Sequence, residues 1–384
     1  MTNRSQIRIP LSFSAVLATV AMLIVFCPAA SAQQFGPWSA PVSLGSTVNS
    51  ACDDMHPTLS KDGLSLIFSS TRPQDPTLTS CDAALHLWVS QRDSLDSPWQ
   101  PPQPLTMLNS ADNSPFQEHA PNLTTDGHWL FFHSSRADGS CNGGGLAELW
   151  AAHRQDKRND SGWEAPINLG CTLNISGADN AGPNFWEDDT TGTLYLYFTR
   201  NLTHANADGF SIYLSTCNVD LDSCNRQQLW GTADLVEELS SSVRDTRTAI
   251  RRRDGLEMIV TSRRCNSPIP PIDSQLCSTL SAGGLDLWVS TRASVQLSQD
   301  NWSTPVNLNQ DNLDKCDQLG IGQASCPVVN TRPNDGAPAL SWDGLTMIFY
   351  SNRPGGSGGN DLYVSTRTKL HDGDKEHDGD DKKE

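Results

Sequence analysis

Five times along this chain one string of residues returns: a Trp, an apolar stretch with Pro, an Asn-containing loop, a Gly-centred turn between two apolar runs, Ser-x-Arg, and an alternating strand. The copies open at Trp38, Trp99, Trp163, Trp230 and Trp302. Their turns are Asp62-Gly63, Asp126-Gly127, Thr191-Gly192, Asp254-Gly255 and Asp343-Gly344. A Gly-containing turn flanked by two short runs of strand character reads as a hairpin. After each hairpin comes a third strand: His86 to Arg92, Glu148 to Arg154, Ser211 to Thr216, Asp286 to Arg292 and Asp361 to Arg367. The Trp-led segments supply the fourth. Four short strands per unit, returning every sixty to ninety residues or so without helical periodicity, is the pattern of propeller blades. The expected fold is therefore an all-β, five-bladed β-propeller of four-stranded antiparallel blades.

The two ends of the array complete each other. Trp38 to Leu44 has no hairpin before it, and the last repeat stops after its third strand near Arg367. The N-terminal strand is thus expected to join the last blade and close the ring, which hides two strand edges that would otherwise invite aggregation. An insertion from Gln310 to Arg332 carries Cys316 and Cys326. The tail beyond Thr368 is charged and nearly free of apolar residues, the composition of a disordered segment.

Ala337 to Arg367 (APALSWDGLTMIFYSNRPGGSGGNDLYVSTR) and His56 to Pro73 (HPTLSKDGLSLIFSSTRP) resemble the WD40-like repeat of TolB-type and OmpA-associated propeller proteins. The five copies carry this resemblance across about residues 38 to 368, weakest in the third. It implies a propeller and, for function, chiefly a non-enzymatic binding module.

Residues 1 to 32 read as an export signal, with Arg4 and Arg8 before an apolar run and Ala30-Ser31-Ala32 for cleavage. The division expected is thus 1–32 signal peptide, 33–368 propeller and 369–384 tail. Losing Arg4 and Arg8 makes the formal net charge of −17 more negative by two. An acidic surface without a basic stripe repels phosphate backbones, so nucleic acid is a poor partner. No membrane span is expected in the mature chain, which reads as a periplasmic or extracellular monomer.

Of eleven cysteines, Cys27 falls in the signal, and an even ten in an exported chain argues for disulfides. Local spacing pairs Cys52 with Cys81, Cys141 with Cys171, Cys217 with Cys224, Cys265 with Cys277, and Cys316 with Cys326. Short CxxC-like pairs are lacking, and neither a metal nor a cofactor is expected.

Counting outward from each hairpin centre sets Asp54 opposite Arg72, Glu118 opposite Arg136, Asp245 opposite Arg263 and Asp335 opposite Arg353; blade 3 offers Asn180 to Arg200. Opposed residues share a face and form charge-assisted pairs. If the chain is an enzyme, Asp54, Glu118, Asp245 and Asp335 are its candidate carboxylates, since glycoside cleavage employs an acid and a second carboxylate near the bond. Repetition in four blades and pairing with Arg favour a structural role, because a neighbouring cation holds an acid ionised. Function is better sought where the repeats differ. Blade 3 loses its acid, which leaves Arg200, with Asn180, as a candidate for an anionic group. His119, His56 and Arg247 replace small or neutral residues of sister blades beside that column, and are ligand candidates too. The functional expectation is binding of an envelope protein or a glycan, one with an anionic group being favoured. A carbohydrate-active hydrolase or lyase using the channel carboxylates is the alternative, and a structural envelope component the third reading.

Overall fold

The computed structural model describes residues 34–203, 209–266, 284–295, 301–332 and 334–370. The expected export signal, residues 1–32, and most of the expected tail, 369–384, lie outside them. Twenty strands form five four-stranded antiparallel sheets. Blade 1 is β2 (Asp54–Leu59), β3 (Ser65–Ser70), β4 (His86–Gln91) and β5 (Gln103–Pro104). Blade 2 is β6 (Glu118–Leu123), β7 (Trp129–Ser134), β8 (Glu148–His153) and β9 (Ile167–Asn168). Blade 3 is β10 (Asp179–Glu187), β11 (Leu194–Asn201), β12 (Phe210–Cys217) and β13 (Asp234–Leu235). Blade 4 is β14 (Asp245–Ile250), β15 (Glu257–Ser262), β16 (Asp286–Thr291) and β17 (Val306–Asn307). Blade 5 is β18 (Asp335–Leu340), β19 (Thr346–Ser351) and β20 (Asp361–Thr366), completed by β1 (Val42–Ser43). The ring therefore closes as expected, with Val42 opposite Val364 and Ser43 opposite Tyr363.

Apolar side chains fill the spaces between neighbouring blades. Phe131 and Leu149 of blade 2, for example, pack in one cluster with Phe185, Leu196 and Phe198 of blade 3. The Trp that opens each outer segment faces this packing rather than solvent. Four of them lie under an Arg from the end of a third strand: Arg92 over Trp99, Arg154 over Trp163, Arg292 over Trp302 and Arg367 over Trp38, at 4.2 to 4.4 Å from the ring centre. A buried indole beneath a guanidinium combines large apolar area with a cation–π contact.

The closing strand is held by the insertion as well. Residues Leu308–Gln318 form a helix, although no helical periodicity marks this segment. Its cap is Asn307, whose side chain accepts from the Asn309 N–H. From its buried face Asn312 accepts a hydrogen bond from Trp38 N at 2.8 Å and donates one to Trp38 O at 2.9 Å. The helix is thus specified by caps, polar contacts and the Cys316–Cys326 disulfide rather than by an apolar stripe. Trp38→Ala is expected to cost about 3–5 kcal/mol, the usual loss for a large buried aromatic. Denaturant unfolding checks it, and a loss under about 1 kcal/mol would show that Trp38 does not hold the ring shut.

Three further disulfides join Cys52 to Cys81, Cys141 to Cys171 and Cys217 to Cys224. The expected partner of Cys265, Cys277, lies outside the described residues. Such bonds belong to oxidising compartments. No helix among the described residues is long and apolar enough to cross a membrane.

Candidate functional site

The acid column forms, fully buried. Arg72 meets Asp54 at 2.5 Å, Arg136 meets Glu118 at 3.0 Å and Arg353 meets Asp335 at 2.6 Å, each acid showing no exposed side-chain surface. Blade 4 differs from the count: Asp245 pairs with Arg264 at 3.2 Å, not with Arg263. The cause is local. Leu59 pairs with Leu66 across the blade 1 turn, whereas Ile250 pairs with Met258, so the blade 4 turn is one residue longer. The pairing Arg follows the Ser-x-Arg spacing instead, with its N–H donating to Ser262 Oγ as Arg72 N does to Ser70 Oγ.

Each acid also accepts from the loop before its own strand. Ser50 N and Oγ donate to Asp54, Ser110 N and Oγ to Glu118, and Thr331 N and Oγ1 to Asp335. The guanidiniums extend the same tie to backbone: Arg72 reaches Val48 O, Arg136 reaches Leu108 O and Arg353 reaches Val329 O. These carboxylates staple loops to blades. With no open surface, Asp54, Glu118, Asp245 and Asp335 do not offer an acid–base pair to a sugar.

Arg200 and Asn180 are placed in the same staple. Arg200 Nε donates to Asn180 Oδ1 at 2.7 Å and Nη2 to Leu173 O at 2.7 Å, while the guanidinium covers Phe198 and Tyr213. A neutral amide oxygen suffices as acceptor, so Arg200 is engaged within the blade. The broken symmetry does not leave a cation facing the channel.

His56, His119 and Arg247, by contrast, come together on the propeller axis. Every innermost strand carries a bulge at one place, where the register shifts and one residue takes a positive φ: His56 (52°), Ala120 (56°), Gly182 (59°), Arg247 (41°) and Ala337 (46°). This left-handed conformation suits Gly and strains bulky residues. Three blades use Gly or Ala there. Blades 1 and 4 instead place an imidazole and a guanidinium, and backbone strain of this kind concentrates at functional sites.

These residues line an axial cavity of about 370 Å³ whose wall also includes His133, Arg244, Asp179 and Tyr350. His119 and His133 face each other in register across β6 and β7, with ring centres 3.6 Å apart. His56 lies 5.2 Å from His119 and 5.7 Å from Tyr350, centre to centre. Tyr350 fits because its register partner is Gly336, where a Cβ would stand 2.9 Å from the phenolic oxygen. Two arginines from blade 4 close the channel below. Arg247 donates to Ala120 O and Pro121 O, and Arg252 to Leu123 O and Leu59 O, all on strands across the axis.

The electrostatics of the cavity follow from this crowding. His56 and His119 are half-buried, and both line the cavity. Burial, then the proximity of His119 and of Arg247, hold His56 and His133 neutral well below the usual imidazole range, and burial with Arg247 pushes His119 down to about 3. Burial raises Tyr350 to about 12 and lowers Arg247 to about 9, so one remains a protonated phenol and the other a cation at neutral pH. Gly182 N donates to His133 Nδ1 at 3.2 Å. The Nδ1 atoms of His56 and His119 have no hydrogen-bond partner among the described residues. Buried polar atoms are nearly always paired, so two such nitrogens on one cavity mark a place for a ligand or water.

The sequence reading missed His133, Tyr350, Arg244, Arg252 and Asp179. His133 was within reach of the hairpin count, which sets it opposite His119 about Asp126. A second, larger cavity of about 740 Å³ opens at the opposite face between the turns of blades 1 and 2, lined by Lys61, Asp62, Asp126, Lys157 and Arg158 among others.

No protein-family model matches the chain, and no curated protein matches it. Solved structures similar to it include a thermostable family-43 glycoside hydrolase, at 13% identity and TM-score 0.49, covering 85% of this chain and 93% of that one. An α-L-arabinofuranosidase from Lactobacillus brevis is similar at 12% identity and TM-score 0.48, covering 84% and 92%. A family 117 glycoside hydrolase from the marine bacterium Zobellia galactanivorans is similar at 12% identity and TM-score 0.45, covering 91% and 92%. The TolB-type, WD40-like resemblance is corrected: no family model recognises the repeat, and the similar solved structures named above are glycoside hydrolases. The expectation of a non-enzymatic binding module, which rested on that resemblance, falls with it. Similarity this distant assigns no activity, and the chemistry has to be argued from the cavity.

Proposed function

We propose that the protein is a carbohydrate-active enzyme of the periplasm or cell exterior that takes an acidic sugar residue into the axial cavity and cleaves its glycan by β-elimination. The observation that carries this reading is the make-up of the cavity wall. It brings three neutral imidazoles, two arginines and a phenol together, with Asp179 as the single carboxylate among its described lining residues. Hydrolysis by the usual pair of carboxylates needs a second one at the bond. Elimination needs instead a base, a proton donor and a positive field over the sugar's carboxylate.

Each need has a residue. Arg247 and Arg244 make the cavity electropositive, and a uronate carboxylate entering it raises the basicity of the imidazoles that the same cations depress. His56, with Nδ1 unpartnered, takes the proton from the carbon next to the carboxylate. The electron pair left behind forms the carbon–carbon double bond, and the bond to the leaving glycosidic oxygen breaks. Tyr350, beside His56 and protonated, gives that oxygen its proton. Nothing else is consumed, and the products are a new chain end and an unsaturated uronate.

The test is a panel of polygalacturonate, alginate and hyaluronan, whose uronates carry a glycosidic bond at the carbon the elimination breaks, with neutral xylan and arabinan beside them. Elimination on an acidic member should release new reducing ends together with the ultraviolet absorbance of the unsaturated sugar. Reducing ends without absorbance would mean hydrolysis, and no release from any acidic member would remove the reading.

A further inference from the structure

Where blades 2, 4 and 5 begin their third strand with an acid, Glu148, Asp286 and Asp361, blade 1 has His86. The Glu148 carboxylate is occupied by Ser140, Cys141 and Asn142 of the loop before its own strand and by the Asn168 amide of β9. His86 sits in a different setting. Its side chain has no exposed surface, and carboxylates approach both ring nitrogens. Asp82 Oδ2 lies 3.4 Å and Asp112 Oδ1 4.0 Å from Nε2, while Glu118 Oε2 lies 3.4 Å from Nδ1. All are longer than the 2.7–2.9 Å or so of a charge-assisted hydrogen bond.

From this arrangement we propose that Asp82, His86 and Asp112 form a binding site for a divalent cation of the zinc class, separate from the axial cavity. The three donor atoms lie within 4.8 Å of one another. Zinc with N and O ligands at about 2.0–2.2 Å in tetrahedral geometry needs its ligand atoms about 3.3 Å apart, so the trio is close to a bound geometry and closes on loading by a small loop movement. The donor types suit the ion: one imidazole nitrogen and two carboxylates, with a fourth position for water. Behind the ligand stands the partner that zinc-binding histidines generally have. Glu118 faces Nδ1 and turns the Nε2 lone pair toward the two aspartates.

The support around the trio is rigid on one side and yielding on the other. Asp82 follows Cys81, which the Cys52 disulfide fixes, and it accepts from Asn113 N and Ala84 N. Asp112 comes from the loop before β6, keeps 15% of its side-chain surface open, and accepts from Gln74 N and Asp75 N. A cation here joins that loop to the loop after β3. The acidic trio around His86, offset among the described residues by Arg136 on Glu118, leaves an excess of negative charge that a divalent ion neutralises.

Full-length secreted protein, stripped with a chelator and dialysed, is titrated calorimetrically with zinc chloride. One equivalent should bind, and zinc at about a hundred times its dissociation constant should raise the melting temperature by about 4 °C, the mass-action gain for a chain of this size. Asp112→Asn sits at a half-open loop position and should fold normally, yet weaken binding about 10-fold to 100-fold; His86→Gln should abolish it. No binding by the parent protein overturns the site. So does binding that survives Asp112→Asn and Asp82→Asn unchanged, or that disappears instead with His119→Asn, since the ion would then belong elsewhere. If His86→Gln fails to fold, the two aspartate variants decide.

Discussion

Lowering the pH from neutral to about 4.5 is expected to destabilise the folded ring by several kcal/mol, with the axial histidines carrying most of the loss. An unfolded imidazole titrates near 6.5. His56, His119 and His133 are all held neutral far below that in the folded protein. Below pH 6.5 or so the unfolded chain therefore binds protons that the folded chain refuses, and stability falls as pH falls, levelling only below the folded pKa values. For His119, with a folded value of about 3, the loss by about pH 4.5 reaches up to about 3 kcal/mol, less to the extent that cavity water solvates the imidazolium. His56 and His133 add to it with the same sign. Of the groups that line the cavity with them, Arg247, Arg244 and Tyr350 bring no negative charge at these pH values, Asp179 is the one carboxylate of the described lining, and Glu118 pulls the other way on His119. Urea unfolding at a series of pH values measures the slope. His119→Asn should make it shallower by close to one proton, and an unchanged slope would show that this imidazole is free to protonate in the folded state.

His56→Asn should lower glycan cleavage about 100-fold to 10,000-fold, the usual contribution of a positioned general base, and Tyr350→Phe should fall in the same range. The two should not multiply, because both groups serve one proton inventory in one step. Stability should change little in either case, since His56 Nδ1 has no hydrogen-bond partner among the described residues and relief of its positive φ favours the variant. The rates of product release on the cleaved acidic substrate, compared with denaturation midpoints, separate these effects. Loss of activity that tracks loss of folding would make both residues structural.

The blades were legible because each is specified locally. A Gly turn fixes a hairpin in every repeat, and in four of the five the opening Trp meets the guanidinium that ends a third strand. The acid–Arg staple was legible for the same reason, by counting from the turn, and it failed in blade 4 because a single added residue in a turn shifts every count beyond it. The family resemblance failed for a related cause. Asp-Gly, Ser-x-Arg and the alternating third strand describe how a blade is stapled, which any propeller must solve, and they carry no information about what its axis holds. Arg200 misled because the missing acid in blade 3 looked like a missing partner, whereas Asn180 Oδ1 satisfies the guanidinium equally well. His56, His119 and Arg247 stood out as departures from small residues, but their meeting depends on bulges on five separate strands. That convergence arises only when the ring closes. Tyr350 and His133, on second strands, gave no sign beyond their register.

The most direct measurement of the central claim is a crystal structure of the Tyr350→Phe protein soaked with galacturonate or glucuronate. The sugar should lie in the axial cavity with its carboxylate toward Arg247 and Arg244 and a ring carbon facing His56. A sugar bound instead at the opposite face, between the turns that carry Lys61 and Lys157, with the axial cavity holding only water, would contradict it.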